Sequence, residues 1–239
     1  VAAASDAIID NRLERAYGFY EISIGKKAVM ALTGLILVLY IIGHLAGNLQ
    51  IYGGREMINR YAELLHASSG LLWFARVVLL GAVGLHIWSS FVLWLEKRRA
   101  RPVKYQKKDE IAATYASRTM MWSGPIIGAF VVFHVLHLTA GDIPGLALAR
   151  VDSGYDVYRN VITGFQHWWV SAAYIVAIVF LMLHLYHGIW SMFQSVGFNH
   201  PRYTPRLKRF AQLFSIALAA GYISIPVTIM LGLVGGGIR

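Results

Sequence analysis

Six histidines, His44, His86, His134, His137, His184 and His187, stand inside stretches with very few other polar side chains. A polar side chain in hydrocarbon is expensive, and what an imidazole offers there is a nitrogen that ligates a metal or relays a proton. The other three histidines, His66, His167 and His200, fall in or beside loops. No cysteine occurs among the 239 residues, which excludes disulfides, thiolate zinc sites, iron–sulfur clusters and covalently attached c-type haem. Histidine is left as the good soft-metal ligand.

The elements that must position these imidazoles are membrane spans. The chain is 57% hydrophobic and only 14% charged, with a mean hydropathy of +0.54, far from the usual soluble mix. Runs over 28–50, 71–95, 119–138, 168–193 and 210–234 each reach the roughly 20 apolar residues that a spanning helix needs. The expected fold is an all-α membrane protein, with a segment 1–26 ahead of one transmembrane domain over 27–239. Four histidine-bearing helices form its core, and a fifth helix completes it. The segments between spans carry turn residues and are too short for a separate domain.

A formal charge of +10 would suit nucleic acid if it formed a soluble patch, but the basic residues lie in loops between spans, which excludes that partner. Residues 96–118 hold eight Lys or Arg against three acids, and Arg202, Arg206, Lys208 and Arg209 precede the last span. The alternate loops, 53–70 and 139–167, have no basic excess. The positive-inside rule therefore places the N-terminus in the cytoplasm and the C-terminus outside a cytoplasmic membrane. Residues 6–27 are too mixed in charge for a signal-peptide core, so the first span is expected to be a retained start-transfer helix. Apolar positions within 6–20 follow a weak helical pattern suited to an interface or a partner.

Counting 1.5 Å per residue from the cytoplasmic ends puts His44 and His134 level at about 22–24 Å, and His86 and His184 level at about 14 Å. A repeat sharpens the register. Thr33-Gly34 precedes His44 by ten residues from the glycine, as Ser123-Gly124 precedes His134. Small residues, Ser90 and Gly188, follow His86 and His184 by four positions, leaving room on the same face for a flat macrocycle. Two level pairs on facing helices are what two bis-imidazole haems b require, with no coordination position left open. That closed coordination suits electron transfer. His137 and His187, three residues from the proposed ligands, can replace a neighbour or bond a haem propionate or quinone oxygen. Arg76, the one formal charge inside a span, needs an anion if buried, and an outer-haem propionate is the candidate.

Several segments, IGKKAVMALTG at 24–34, GHLAGN at 43–48, LHIWSS at 85–90, FHVLH at 133–137 and HLYHGIWSMFQSVGFNHPRY at 184–203, resemble the two-haem, five-helix cytochrome b anchor of succinate dehydrogenase/fumarate reductase. The resemblance runs from about residue 23 to 234. It implies a flavoprotein subunit and an iron–sulfur subunit docked on the cytoplasmic side, and an anchor that has no succinate site and passes electrons through two haems b to a quinone, commonly menaquinone. Position by position, it implies His86 and His184 on the inner haem and His44 and His134 on the outer one. Some fumarate-reducing relatives carry a transmembrane glutamate just before the fourth-span ligand; here that stretch is Leu181-Met182-Leu183, which argues against such a proton path. Electrons crossing toward the outer haem would feel the membrane potential, about 2.3 kcal/mol per charge per 100 mV.

Quinone candidates lie on both sides. Outside, Glu63 and His66 stand with Gln50 and Tyr52; inside, Ser23 and Lys27 resemble the quinone motif of single-haem anchors. The basic loops are expected to meet acidic partner surface or anionic lipid headgroups. Gly221 and Gly232 in the last span offer close packing to lipid or to another copy, leaving a higher oligomer open. Two alternatives are carried: the dihaem anchor of a hydrogenase or formate dehydrogenase, and a haem-free transporter with a histidine proton relay. The relay commonly needs intramembrane carboxylates, and the five spans contain none.

Overall fold

The computed structural model describes residues 22–100, 115–151 and 154–237. The amphipathic stretch 6–20, like most of the segment 1–26, and the middle of the basic segment, 101–114, lie outside the described residues. The described helices are α1 Ser23–Asn48, α2 Arg55–Ala67, α3 Ser69–Arg99, α4 Tyr115–Val135, α5 Val157–Gln166, α6 Trp168–Ser195 and α7 Thr204–Met230. A tight turn Leu49–Gly53 extends α1, and a widened π-type turn Leu136–Ala140 extends α4. A minimal antiparallel hairpin, β1 Arg150–Val151 with β2 Gly154–Tyr155, precedes α5.

Five helices, α1, α3, α4, α6 and α7, are long and apolar enough to cross a membrane. They overrun several of the limits expected from hydropathy, because a helix continues past the apolar layer while its end is satisfied. Lys97, Arg98 and Arg99 close α3, where cations complement the helix dipole. A proline in the first turn opens α7, its missing N–H costing nothing there. Beyond its end Gly232 takes a left-handed φ of 71°, the usual glycine exit.

The departures from the sequence reading are α2 and α5, which stand where loops were expected. Both are short amphipathic helices at one end of the bundle, hereafter the capped end; the opposite end, with Lys97–Arg99 and Lys208, is the basic end. The Asp156 side chain starts α5 by accepting from the Arg159 backbone N–H at 3.3 Å, a standard N-cap. The same carboxylate, 1% exposed, accepts from Arg55 at 2.6 Å and Asn59 at 2.9 Å on α2. Asn59 in turn accepts from the Tyr158 N–H at 3.0 Å. Beneath this clamp, Ile58, Val161, Ile162 and Phe165 bury against Ile51, Val170, Tyr174 and Ile225.

Packing between spans is uneven. Helix α3 lies on α1, α4 on α6, and α6 on α7. A Cβ at Gly221 would come within 2.9 Å of Leu45 on α1, so this glycine serves contact within the chain, correcting the expectation of lipid or a second copy there. Of the most apolar window, 33% is buried in α6 and in α7, against 11% in α3 and 6% in α4. Those two sparsely covered helices carry His86 and His134.

Candidate functional site

Each imidazole owes its place to its helix register. His44 and His134 meet with ring centres 5.7 Å apart at 87°, and His86 and His184 meet at 6.2 Å and 57°. Gly34 lies against His86, whose Cε1 is 3.3 Å from where a Cβ would stand. His86 is therefore level with Gly34, ten residues and about 15 Å along α1 from His44. The structure thus brings together the two pairs expected from depth.

The Thr33-Gly34 and Ser123-Gly124 repeat has a use the sequence did not disclose. Thr33, 5% exposed, donates its hydroxyl proton to the Val29 carbonyl at 2.8 Å, and its Oγ1 lies 3.3 Å from His86 Nδ1. With that proton committed, the oxygen accepts and the imidazole donates, leaving the His86 Nε2 lone pair available. Ser123, fully buried, repeats this more loosely: it donates to the Met120 carbonyl at 3.4 Å and lies 3.5 Å from His184 Nδ1. Orienting a ligand imidazole through its second nitrogen is the common device of metal-binding histidines.

The donor set fits haem. Among the described residues no three of His, Cys, Asp or Glu gather as a metal site would require; a macrocycle supplies four nitrogens itself and asks the protein for two. A metal–imidazole bond of about 2 Å on each side, plus about 1 Å from nitrogen to ring centre, sets paired ring centres roughly 6 Å apart, close to both observed separations. The helices that carry each facing pair, α1 with α4 and α3 with α6, do not pack closely on one another. A Cβ at Gly43, Gly124, Gly128 or Gly188 would meet open space.

Neighbouring candidates are placed differently. His137 is 1% exposed and turned into the cap, with Nε2 2.6 Å from where a Gly164 Cβ would stand, so it does not join His134 in facing His44. Its Nδ1 lies 2.9 Å from the Tyr174 hydroxyl, which also lies 3.0 Å from His134 Nδ1. His187 Nε2 is 3.1 Å from Ser191 Oγ one turn along its own helix. Arg76, exposed, holds its guanidinium 5.1 Å from the Trp73 ring centre; ten residues before His86, it stands at about the height of His44.

The two quinone candidate groups also separate. Glu63 lines an open depression of about 540 Å³ on α2 with Glu56, Asn59 and Arg60, and Gln50 lines an adjoining one of about 390 Å³. His66 bonds its own helix at the Ala62 carbonyl, 2.8 Å away, and Tyr52 donates to Ser224 on α7 at 2.8 Å. At the basic end Ser23 donates to Glu96 at 3.2 Å. The cation beside it is Lys26, paired with Glu96 at 2.8 Å, while Lys27, one residue and about 100° of helix rotation away, is exposed.

Two residues that organise the surroundings of these imidazoles escaped sequence reasoning, Tyr174 and Asp156. A tyrosine in an apolar run reads as core, although a Tyr one span from two histidines is a signal for a hydrogen-bond partner. Asp156 ahead of an amphipathic run was legible as a helix cap. A family model described as succinate dehydrogenase/fumarate reductase transmembrane subunit matches residues 95–223, more than half of the chain. The match takes in α4, α6 and most of α7, hence His134 and His184; His44 and His86 precede it. Nothing among the curated proteins or the solved structures matches significantly.

Proposed function

We propose that this chain, which belongs to the succinate dehydrogenase/fumarate reductase transmembrane-subunit family, anchors the complex and holds two haems b that connect its iron–sulfur subunit to a quinone. The observation that carries this reading is the pair of facing imidazole couples, each spanning helices that do not otherwise close on one another. His86 and His184 would hold the haem nearer the basic end, and His44 and His134 the one nearer the cap. When bound, the haems supply one-electron carriage through a layer that no protein group here crosses electronically.

The chain's own part is binding, orientation and exclusion of water. Thr33 and Ser123 fix two imidazoles by their Nδ1 atoms. Tyr40 stacks on His44 with ring centres 5.3 Å apart, restricting its rotation. The two sites stand about 15 Å apart along α1, so together they cover much of an apolar layer of about 30 Å. The basic end, with α3 closing on Lys97–Arg99, is the proposed cytoplasmic docking face for the iron–sulfur and flavoprotein subunits, with the C-terminus outside. Menaquinone is the proposed electron partner on the family resemblance, and membership of the family favours succinate or fumarate chemistry over a hydrogenase or formate dehydrogenase partner.

The test is a reduced-minus-oxidised spectrum with pyridine haemochrome quantitation on the purified complex. Two low-spin haems b per copy of this chain are expected. None would overturn the reading and restore the histidine proton relay.

A further inference from the structure

Tyr174 is clamped in the capped half of the bundle, 5% exposed, with the rings of Phe130 at 4.8 Å and Phe165 at 4.7 Å, both perpendicular to it. Its hydroxyl oxygen lies between two imidazoles three residues apart on the same helix, 3.0 Å from His134 Nδ1 and 2.9 Å from His137 Nδ1. A phenol carries one proton. Among the described residues this hydroxyl bonds the two imidazoles, so one imidazole donates to the oxygen and the other accepts its proton.

The surroundings decide which. His137 is 1% exposed and its Nε2 faces the Gly164 backbone at a distance that leaves no room for even a methyl group. His134 faces His44 across the open space between α1 and α4. A His134 that offers Nε2 to a metal carries its proton on Nδ1 and donates it to Tyr174. Tyr174 then donates to His137 Nδ1, and His137 keeps its own proton on Nε2. His137 Nδ1 is then committed as an acceptor, and its protonated Nε2, packed against Gly164, has no lone pair to offer a metal.

We propose that Tyr174 is a positioning residue that selects His134 over His137 as ligand of the capped-end haem, one phenol setting the tautomers of both imidazoles. The inference rests on the haem reading above. It explains why two histidines at this spacing do not compete for one iron, and why α5 must reach over the bundle: Gly164 and Phe165 hold His137 and Tyr174 in place.

The experiment uses the purified complex and three variants, His134→Ala, His137→Gln and Tyr174→Phe, each read by haem count, redox titration and low-temperature EPR of the low-spin haems. His134→Ala identifies the capped-end haem by its loss. His137→Gln is expected to retain two haems per chain. Tyr174→Phe is expected to retain two as well, with the midpoint of the capped-end haem shifted upward and its EPR signal moved, because an acceptor on Nδ1 makes the imidazole a stronger donor to ferric iron. The basic-end haem, unchanged, reports that the chain is folded. Loss of a haem in His137→Gln, or wild-type potentials and signals for both haems in Tyr174→Phe, overturns the proposal. If Tyr174→Phe does not accumulate, His137→Gln decides by its haem count alone. A wild-type complex without haem sinks the parent reading instead.

Discussion

Replacing Asp156 with alanine should loosen the cap over the His44–His134 pair by an amount that the geometry allows to be worked out. The carboxylate caps α5 through the Arg159 N–H at 3.3 Å, a loss of about 1 kcal/mol. It also accepts from Asn59 at 2.9 Å, a bond to a charged acceptor contributing about 1.5–3 kcal/mol. The Arg55 pair is short, 2.6 Å, but the arginine side chain is 58% exposed and returns to water when released, so it adds less than about 1 kcal/mol. Allowing for overlap among these terms, Asp156→Ala should cost about 2–4 kcal/mol and Arg55→Ala under about 1 kcal/mol. Equilibrium unfolding in mixed micelles, followed by tryptophan fluorescence, measures both. Burial pushes the Asp156 carboxyl up, but hydrogen bonds from Asn59, the Arg159 N–H and Arg55, together with the Arg55 charge, outweigh it and hold its pKa below the usual value. A depressed folded pKa means a contribution fully present above the ordinary carboxylate value of about 3.9 and lost as pH falls through the folded one. The acid limb of the stability curve should therefore be shallower in Asp156→Ala than in the wild type. A cost within 0.5 kcal/mol of zero, or an Arg55→Ala as damaging as Asp156→Ala, would refute the clamp (thresholds set at about the error of such measurements).

Removing one imidazole of the basic-end pair by His184→Ala should lower the pyridine haemochrome count from two haems per chain to one; an unchanged count would take His184 out of the ligand set. Thr33→Val removes the acceptor 3.3 Å from His86 Nδ1; if about 0.5–1 kcal/mol of that bond is specific to the ferric state, the midpoint of the basic-end haem rises by roughly 20–40 mV on the one-electron scale, as redox titration would show. Gly164→Ala drives a Cβ to 2.6 Å from His137 Nε2, and because that ring is buried and bonded to Tyr174 it should cost about 1–3 kcal/mol in the same unfolding assay.

Much of this protein was readable from one-dimensional chemistry, since a bilayer imposes rules that act on local sequence. Five apolar runs of spanning length must be helices, because no water is present to satisfy an exposed backbone. The ten-residue offset from Gly34 to His44, repeated from Gly124 to His134, converts directly into height at a constant rise per residue. That offset sets His44 level with His134, and counting from the span ends sets His86 level with His184. The same rules say little about short amphipathic segments. Residues 55–67 and 157–166 carry mixed polar and apolar side chains and become helices once Asp156, Arg55 and Asn59 bind them together, an interaction across about a hundred residues of chain.

What tertiary structure alone decided is which neighbour each side chain meets. The sequence determined that His134 and His137 share a helix and lie within a turn of each other. The ten-residue repeat favoured His134, but the two differ by only about 60° on the helix surface, so that count alone separated them. The arrival of Tyr174 from α6 and Gly164 from α5 turns His137 into the cap and leaves His134 at the open space. Likewise adjacent Lys26 and Lys27 are equivalent in composition, and only the approach of Glu96 at the end of α3 makes Lys26 the buried partner. Register along a helix is a local quantity fixed by covalent geometry; direction around it acquires meaning only when another element packs there.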